Sequence, residues 1–270
     1  MKIIVGGGIS GLWLAAELKA RNIPCCVIEK NALGQGQTLA SQGMIHGGTK
    51  YALDGRLSKA ANEIGAMPSR WKQALKGDGR VDLRAVQLER EDQLLWSVGS
   101  VATNLMGFFA SKAMRARMER IDPRTEAAFN YPRFKGHLYR LSEPVLRLDT
   151  LIEAFAELLD GQLFHAEVTG FLTRNGHVCG VETSAGQMHG DVIMTAGEGT
   201  EPLLSTLNGQ RPQMQLRPLA MSVCKLVRPI PRVFGHQFGG GSKPKLSVST
   251  HEFAGAQYLY LGGQFAEDGV

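Results

Sequence analysis

The chain is poor in the residues that staple a small fold or hold a metal. Its 270 residues include four cysteines, Cys25, Cys26, Cys179 and Cys224. No two of them share a C-x-x-C spacing, which argues against a zinc site and a disulfide framework, and a reducing cytoplasm is the expected compartment. Long apolar runs are also missing. None approaches the roughly 20 residues that a membrane-spanning helix needs, and only three apolar residues separate Lys2 from the first glycine, too few for a secretory signal. Charge of one sign does not dominate either, with 30 Lys and Arg against 25 Asp and Glu and a net charge of +5. The positive charges are dispersed. The densest stretch, S-K-A-M-R-A-R-M-E-R at residues 111–120, reads as a solvated helix face. Nucleic acid is therefore not an expected partner. The mild basicity favours anionic ligands and is compatible with a peripheral association with an acidic membrane surface. No internal repeat or low-complexity tract appears.

Glycine, by contrast, is abundant, with 33 residues. The chain opens M-K-I-I-V-G-G-G-I-S-G-L. Residues 2–5 form a short apolar run and are expected to be a buried strand, while residues 10–21 are rich in helix formers, with Leu14 and Leu18 four apart. The N-I-P of residues 22–24 ends that helix, and C-C-V-I-E at residues 25–29 reads as a second buried strand. Strand, helix and strand in so short a span make a βαβ unit with parallel strands. Gly6, Gly8 and Gly11 satisfy G-x-G-x-x-G in the required context, after a strand and opening a helix. Glycine there allows a tight turn, a close backbone approach to pyrophosphate and close packing of helix on strand. Glu29 stands 18 residues after Gly11 at the end of the second strand, where a carboxylate can take ribose hydroxyls and would repel a 2′-phosphate. These features define a dinucleotide site without separating NAD from FAD.

Further along, helices are expected at residues 57–66 and 69–75. Residues 86–98 read as a pair of strands around the charged turn E-R-E-D, and residues 103–121 as amphipathic helix. The clearest helix is R-L-D-T-L-I-E-A-F-A-E-L-L-D-G at residues 147–161. Thr150 and Glu153 there form an expected capping box, Leu151, Ile152, Phe155, Leu158 and Leu159 the buried stripe, and Gly161 the stop. Short strands with Asn-Gly and Ala-Gly turns follow over residues 162–197. D-V-I-M-T-A-G runs into glycine as K-I-I-V-G does, and so is a candidate for the parallel sheet. A-Q-Y-L-Y-L-G-G reads as a last strand.

The segment T-L-A-S-Q-G-M-I-H-G-G-T-K-Y-A-L at residues 38–53, taken with the N-terminal fingerprint, resembles the FAD-dependent D-amino-acid oxidase and glycerol-3-phosphate dehydrogenase superfamily. H-A-E-V-T-G-F and D-V-I-M-T-A-G-E-G-T resemble its adenine-side strand and the strand closing the FAD site. The resemblance covers residues 1 to about 200 and selects FAD over NAD. It implies an α/β fold: a glutathione-reductase-like FAD-binding domain of Rossmann type, residues 1–85 and 142–212, with a mixed-sheet substrate domain, residues 86–141 and 213–270. Carried over, Gly6, Gly8, Ile9, Ser10 and Gly11 surround the pyrophosphate. Glu29 takes the ribose, with Lys30 nearby. Ser41, Gln42, Gly43 and Met44 follow the ribityl chain and flavin, Val168 meets adenine through its backbone, and Ala196 and Gly197 approach the cofactor. His46 stands close to the flavin as the candidate base. Lys50 and Tyr51 match an Arg-Tyr pair of the glycerol-3-phosphate branch. Lysine keeps the charge for an anionic substrate but lacks the bidentate fork that suits phosphate.

Two departures stand out. L-R-P-L-A-M-S-V-C-K-L at residues 216–226 lacks the histidine that the glycerol-3-phosphate branch carries in a Gly-x-His element there. Family members also continue into a C-terminal segment that returns to the flavin, so a truncated chain is expected. The resemblance implies hydride transfer from a small anionic hydroxy or amino compound to flavin, with an acceptor for the electrons. The alternative is a truncated, non-catalytic flavin-binding remnant, or a subunit completed by another chain; a homo-oligomeric association is compatible with either reading.

Overall fold

The computed structural model describes residues 1–47, 64–98, 118–207, 213–216, 219–238 and 244–267. These form two compact units, Met1–Ser41 with Gln73–Gln87 and Arg147–Arg217, and Gln42–Lys72 with Leu88–Leu146 and Pro218–Val270. Residues 42–47 and 64–72, which the sequence places with the cofactor domain, group with the second unit by compactness.

In the first unit, β1 (Lys2–Val5), α1 (Ile9–Ala20) and β2 (Cys25–Glu29) form the expected βαβ unit. The short α2 (Gln37–Ala40) follows. The α4 helix (Leu148–Leu158), β8 (Leu163–His165) and β12 (Asp191–Met194) complete the layer. The sheet order is β12-β1-β2-β8, and every pairing is parallel. Such a sheet is covered on its faces, which explains the continuous apolar runs of β1 and β2. Ile3, Val5, Cys26, Ile28, Val168 and Val181 share one core cluster. The α1 residues that bury are Gly11, Leu12, Ala15 and Ala16 rather than the Leu14/Leu18 pair, because small side chains let the helix lie close to the strands. An antiparallel sheet of β9 (Val168–Arg174), β10 (His177–Thr183) and β11 (Gly186–His189) belongs to the same unit. Asn175 and Gly176, both at positive φ, make the expected turn between its first two strands.

The second unit holds a mixed seven-stranded sheet. Its strands are β4 (Gln93–Val98), β5 (Met118–Ile121), β6 (Gly136–Leu141), β13 (Ser222–Lys225), β14 (Phe234–Gln237), β15 (Leu246–Phe253) and β16 (Ala256–Gly262). The order is β13-β16-β15-β14-β4-β6-β5, and β14 pairs with β4 in parallel. The register sorts the side chains between two faces, each of which mixes polar and apolar residues. Leu94, Trp96, Leu138 and Val248 point into an apolar core with Phe129 and Val233. Gln93, Ser97, His236, Ser247 and Ser249 share the opposite face.

Three sequence expectations are corrected. β3 (Leu88–Arg90) and β4 are both strands, but they do not pair as a hairpin; β3 pairs antiparallel with β7 (Val145–Leu146). Met118–Ile121 is strand rather than helix, held by pairing with β6, and the rest of that expected helix lies outside the described residues. The capping box is not formed. α4 begins at Leu148 with Arg147 as N-cap, so Thr150 is already inside the first turn. Its hydroxyl donates to the Arg147 carbonyl at 2.8 Å and accepts from the Gln87 amide at 3.0 Å. The helix expected at residues 69–75 is α3 (Met67–Lys76); most of the one expected at 57–66 lies outside the described residues. No helix among the described residues is long and apolar enough to cross a membrane.

Candidate cofactor site

Because all four strands of the first sheet run parallel, their carboxyl ends share one edge, where open α/β sheets bind their ligands. The expected residues of the first unit gather there. Gly6 leaves β1 at φ +111°, and a Cβ on it would stand 2.6 Å from the Thr195 carbonyl oxygen. A Cβ on Gly11 would lie 2.1 Å from the Gly6 carbonyl oxygen. These two glycines are required by the protein's own packing.

Gly8 is different. A Cβ there would meet nothing nearer than the Thr38 hydroxyl at 3.5 Å; one on Gly197 would meet nothing within 4 Å, although its φ of +54° already favours glycine there. The missing side chains at these positions leave room for a ligand. Gly8 caps α1 in an extended conformation without a side-chain cap, and the first turn carries no acidic residue. Ser10 and Gly11 follow in that turn, so the positive end of a 12-residue helix faces the opening. A pyrophosphate fits this cradle.

The loop is held by side chains that sequence reading missed. The Thr195 hydroxyl reaches the Val5 and Gly6 carbonyl oxygens at 3.0 and 2.9 Å. Thr38 accepts the Ile9 amide at 3.0 Å. Glu29 accepts the Gly7 amide at 2.7 Å through one oxygen and the Asn31 amide at 2.9 Å through the other. Each carboxylate oxygen keeps a second lone pair for a ribose hydroxyl. Beyond Glu29, an open pocket of about 440 Å³ is lined by Lys30, Asn31, His165, Ala166, Glu167 and Ser184. The Lys30 ammonium lies 3.3 Å from Glu167, and Val168, next in the chain, is buried at the start of β9.

In the second unit, the segment from Gln42 onward is clamped in place. Gly43 sits at φ +69°, and a Cβ on it would be 2.4 Å from the Leu146 carbonyl oxygen; its own carbonyl accepts the Leu146 amide at 2.9 Å. Met44 bridges to Val145, and the Gln93 side chain donates to the Ile45 carbonyl at 2.9 Å. The Gly47 amide donates at 2.8 Å to Glu143, which is only 2% exposed. The exposed His46 ring lies 5.2 Å from that of His236, whose Nδ1 is 2.8 Å from the Ser247 hydroxyl. Ser41 belongs to the first unit, its hydroxyl bonded to the Thr38 carbonyl at 2.9 Å. Lys50 and Tyr51 lie outside the described residues. His236, Gln93 and Glu143 carry no local motif; only the pairing of distant strands brings them to this segment. Among the described residues no group of three or more His, Cys, Asp or Glu could hold a metal ion.

A glycine-rich turn feeding the open end of a helix, at the carboxyl edge of a parallel sheet, defines a dinucleotide-binding fold. Comparison narrows this. The model of the DAO family, described as FAD dependent oxidoreductase, matches residues 2–260. The chain is 42% identical to the probable FAD-dependent oxidoreductase PA4991 of Pseudomonas aeruginosa, over 99% of its own length and 69% of that protein's. The crystal structure of PA4991 superposes with a TM-score of 0.79 at 34% identity, covering 98% of this chain and 66% of that one. Glycine oxidase from Bacillus cereus, at 17% identity, shares the fold with a TM-score of 0.66 over 97% of this chain and 70% of its own. The chain belongs to the DAO family of FAD-dependent oxidoreductases, and its cofactor is FAD. It spans about two thirds of the length of PA4991.

Proposed function

We propose that the chain oxidises a small anionic hydroxy or amino compound, such as a 2-hydroxy acid, an amino acid or glycerol 3-phosphate. When bound, FAD supplies the two-electron acceptor chemistry, and the protein supplies binding, orientation and electrostatics. In this reading the positive end of α1 neutralises the pyrophosphate, with Gly6, Gly8, Ile9, Ser10 and Gly11 around it. Glu29, with Lys30 beside it, takes the adenosine ribose, and the Val168 backbone meets adenine. Ala196 and Gly197 let the cofactor approach the end of β12. Ser41, Gln42, Gly43 and Met44 follow the ribityl and flavin portion. Lys50 and Tyr51 hold the substrate's anionic group. His46 is the base that takes the proton from the substrate's hydroxyl or amine.

The observation that carries this reading is the room left at Gly8 over the uncapped start of α1, in a chain whose family is FAD-dependent. The deciding experiment is a visible spectrum of the purified protein, followed by acid release of the flavin. Released FAD, with bleaching by one of the three substrate classes, supports the proposal, and reoxidation by air or by a dye then identifies the electron acceptor. A colourless protein that cannot be reconstituted with FAD refutes it. FAD without bleaching by any of the three leaves a flavin-binding chain without this activity.

A further inference from the structure

Gln42 is held unlike the other members of its segment. Its side-chain nitrogen donates to the Ser249 hydroxyl at 3.1 Å and to the Tyr260 backbone carbonyl at 3.3 Å. The second bond fixes which way the amide points. A backbone carbonyl can only accept, so a flipped amide would set oxygen against oxygen at Tyr260. Both amide protons are thus committed to the sheet, and the side-chain carbonyl oxygen accepts nothing from the described residues.

Ser249 is fully buried, and its hydroxyl also lies 2.9 Å from Nε2 of His251. Since Ser249 accepts from Gln42, its own proton is directed to His251. That requires a bare Nε2 and a neutral imidazole protonated at Nδ1, the nitrogen that faces the Glu89 carboxylate at 4.0 Å. The groups packed around this ring are Glu89 and the Arg232 paired with it, Phe234, Tyr260 and the cross-strand neighbour Tyr258. Burial is the largest influence on His251, and Arg232 reinforces it; together they outweigh Glu89 and hold the imidazole below its ordinary pKa, hence neutral at pH 7.

We propose that Gln42 presents a fixed hydrogen-bond acceptor, and no donor, to the bound cofactor, and that His251 is the positioning residue that keeps it so through Ser249. The inference rests on the reading that this segment follows the ribityl and flavin part of FAD. The group met by Gln42 is then a donor of FAD, a ribityl hydroxyl or a ring N–H. Protonating His251 turns Nε2 into a donor. Ser249 must then accept from both neighbours, its own buried proton loses its acceptor, and the Gln42 anchor weakens.

The test is the FAD dissociation constant, by equilibrium dialysis of the full chain from pH 8 to pH 5, with thermal melts to check folding. For the native protein the expected constant is flat above neutrality and rises as pH falls below the ordinary imidazole value. Gln42→Leu is expected to weaken FAD about tenfold at pH 7.5, or about 1.4 kcal/mol, with the melt unchanged. Ser249→Ala is expected to weaken it at every pH, and Ser249→Thr, which keeps a hydroxyl, to restore it. His251→Gln, whose side-chain oxygen can still accept from Ser249 but which does not titrate, is expected to lose the acid step, which a merely structural role would not produce. An unchanged constant in Gln42→Leu, or an unchanged acid step in His251→Gln, overturns the inference while leaving the proposed function standing. A native chain that holds no FAD overturns both.

Discussion

Gly8 and Gly11 stand three residues apart in one motif and do different work. Gly11 is needed by the fold, since a methyl there would overlap the Gly6 carbonyl oxygen at 2.1 Å. Gly11→Ala is therefore expected to destabilise the chain by about 1–3 kcal/mol, the usual cost of overpacking, and to abolish FAD binding with it. Gly8→Ala meets no protein atom within 3.4 Å and keeps an accessible backbone at φ −77°. Its effect on stability should stay within about 1 kcal/mol, the scale of an N-cap change, while FAD binding weakens at least tenfold. Thermal melts beside FAD titrations separate the two, and a Gly8→Ala protein that binds FAD as the native one does would remove the ligand from this position. The motif was legible in the sequence because glycine at such spacing has few other uses. Thr195 and Thr38, which hold the same loop, were not legible. Each acts on residues far away in the chain, from Thr38 to Ile9 and from Thr195 to Val5 and Gly6, and a threonine by itself announces no such partner.

Elements were legible where local pattern and tertiary environment agree. β1, α1, β2, α4 and β12 all appear as elements where their apolar runs place them, although α1 buries its small residues rather than Leu14 and Leu18, and α4 buries Ala154 rather than the expected Ile152 and Leu158. The failures occur where distant pairing decides. Met118–Ile121 has helix-forming residues, but it pairs with β6, where Arg140 reaches Glu119 at 3.6 Å. Cross-strand contacts of this kind override local preference. Residues 89–92 offer a charged turn, yet β3 finds its partner in Val145–Leu146 instead. α4 shows the same tension at its start, where Thr150 serves a chain segment more than 60 residues away rather than its own helix end. Its central residue is Phe155, fully buried with its ring 6.3 Å from that of Trp13. Phe155→Ala is expected to cost about 3–5 kcal/mol, whereas Thr150→Val, which removes a half-exposed bond to Gln87, should cost about 1 kcal/mol. Urea denaturation of both variants checks the order, and an equal loss in the two would show that the helix is held by its start rather than by its buried face.

Across the whole molecule, acid should act on the two units in sequence, because their shifted groups differ in kind. In the second unit His251 is held neutral below the ordinary imidazole pKa by burial, the largest influence, which with Arg232 outweighs the raising effect of Glu89. Glu126 lies there too. Burial raises its pKa, but hydrogen bonds from Arg90 and Arg140 at 2.7 and 3.1 Å outweigh this and hold it below the usual carboxylate range. Among the described residues of the first unit the acid-sensitive shifts are those of carboxylates. The Lys2 ammonium holds Asp191 low; for Asp149 burial pushes upward, and Arg147 with the Thr150 amide outweighs it. A group whose folded-state pKa is depressed contributes stability in full above its unfolded value and loses it as pH falls through the lowered one. For His251 that loss starts below the ordinary imidazole value of about 6.5; for the carboxylates it starts only below about 4. Amide hydrogen exchange, expressed as protection factors, should therefore show β14, β15 and β16 losing protection between pH 7 and pH 5 while β1 and β2 keep theirs. Both units should weaken below pH 4. His251→Gln removes the titrating group and should abolish the first stage, and parallel loss in both units would mean that the imidazole is not what makes the second one acid-sensitive.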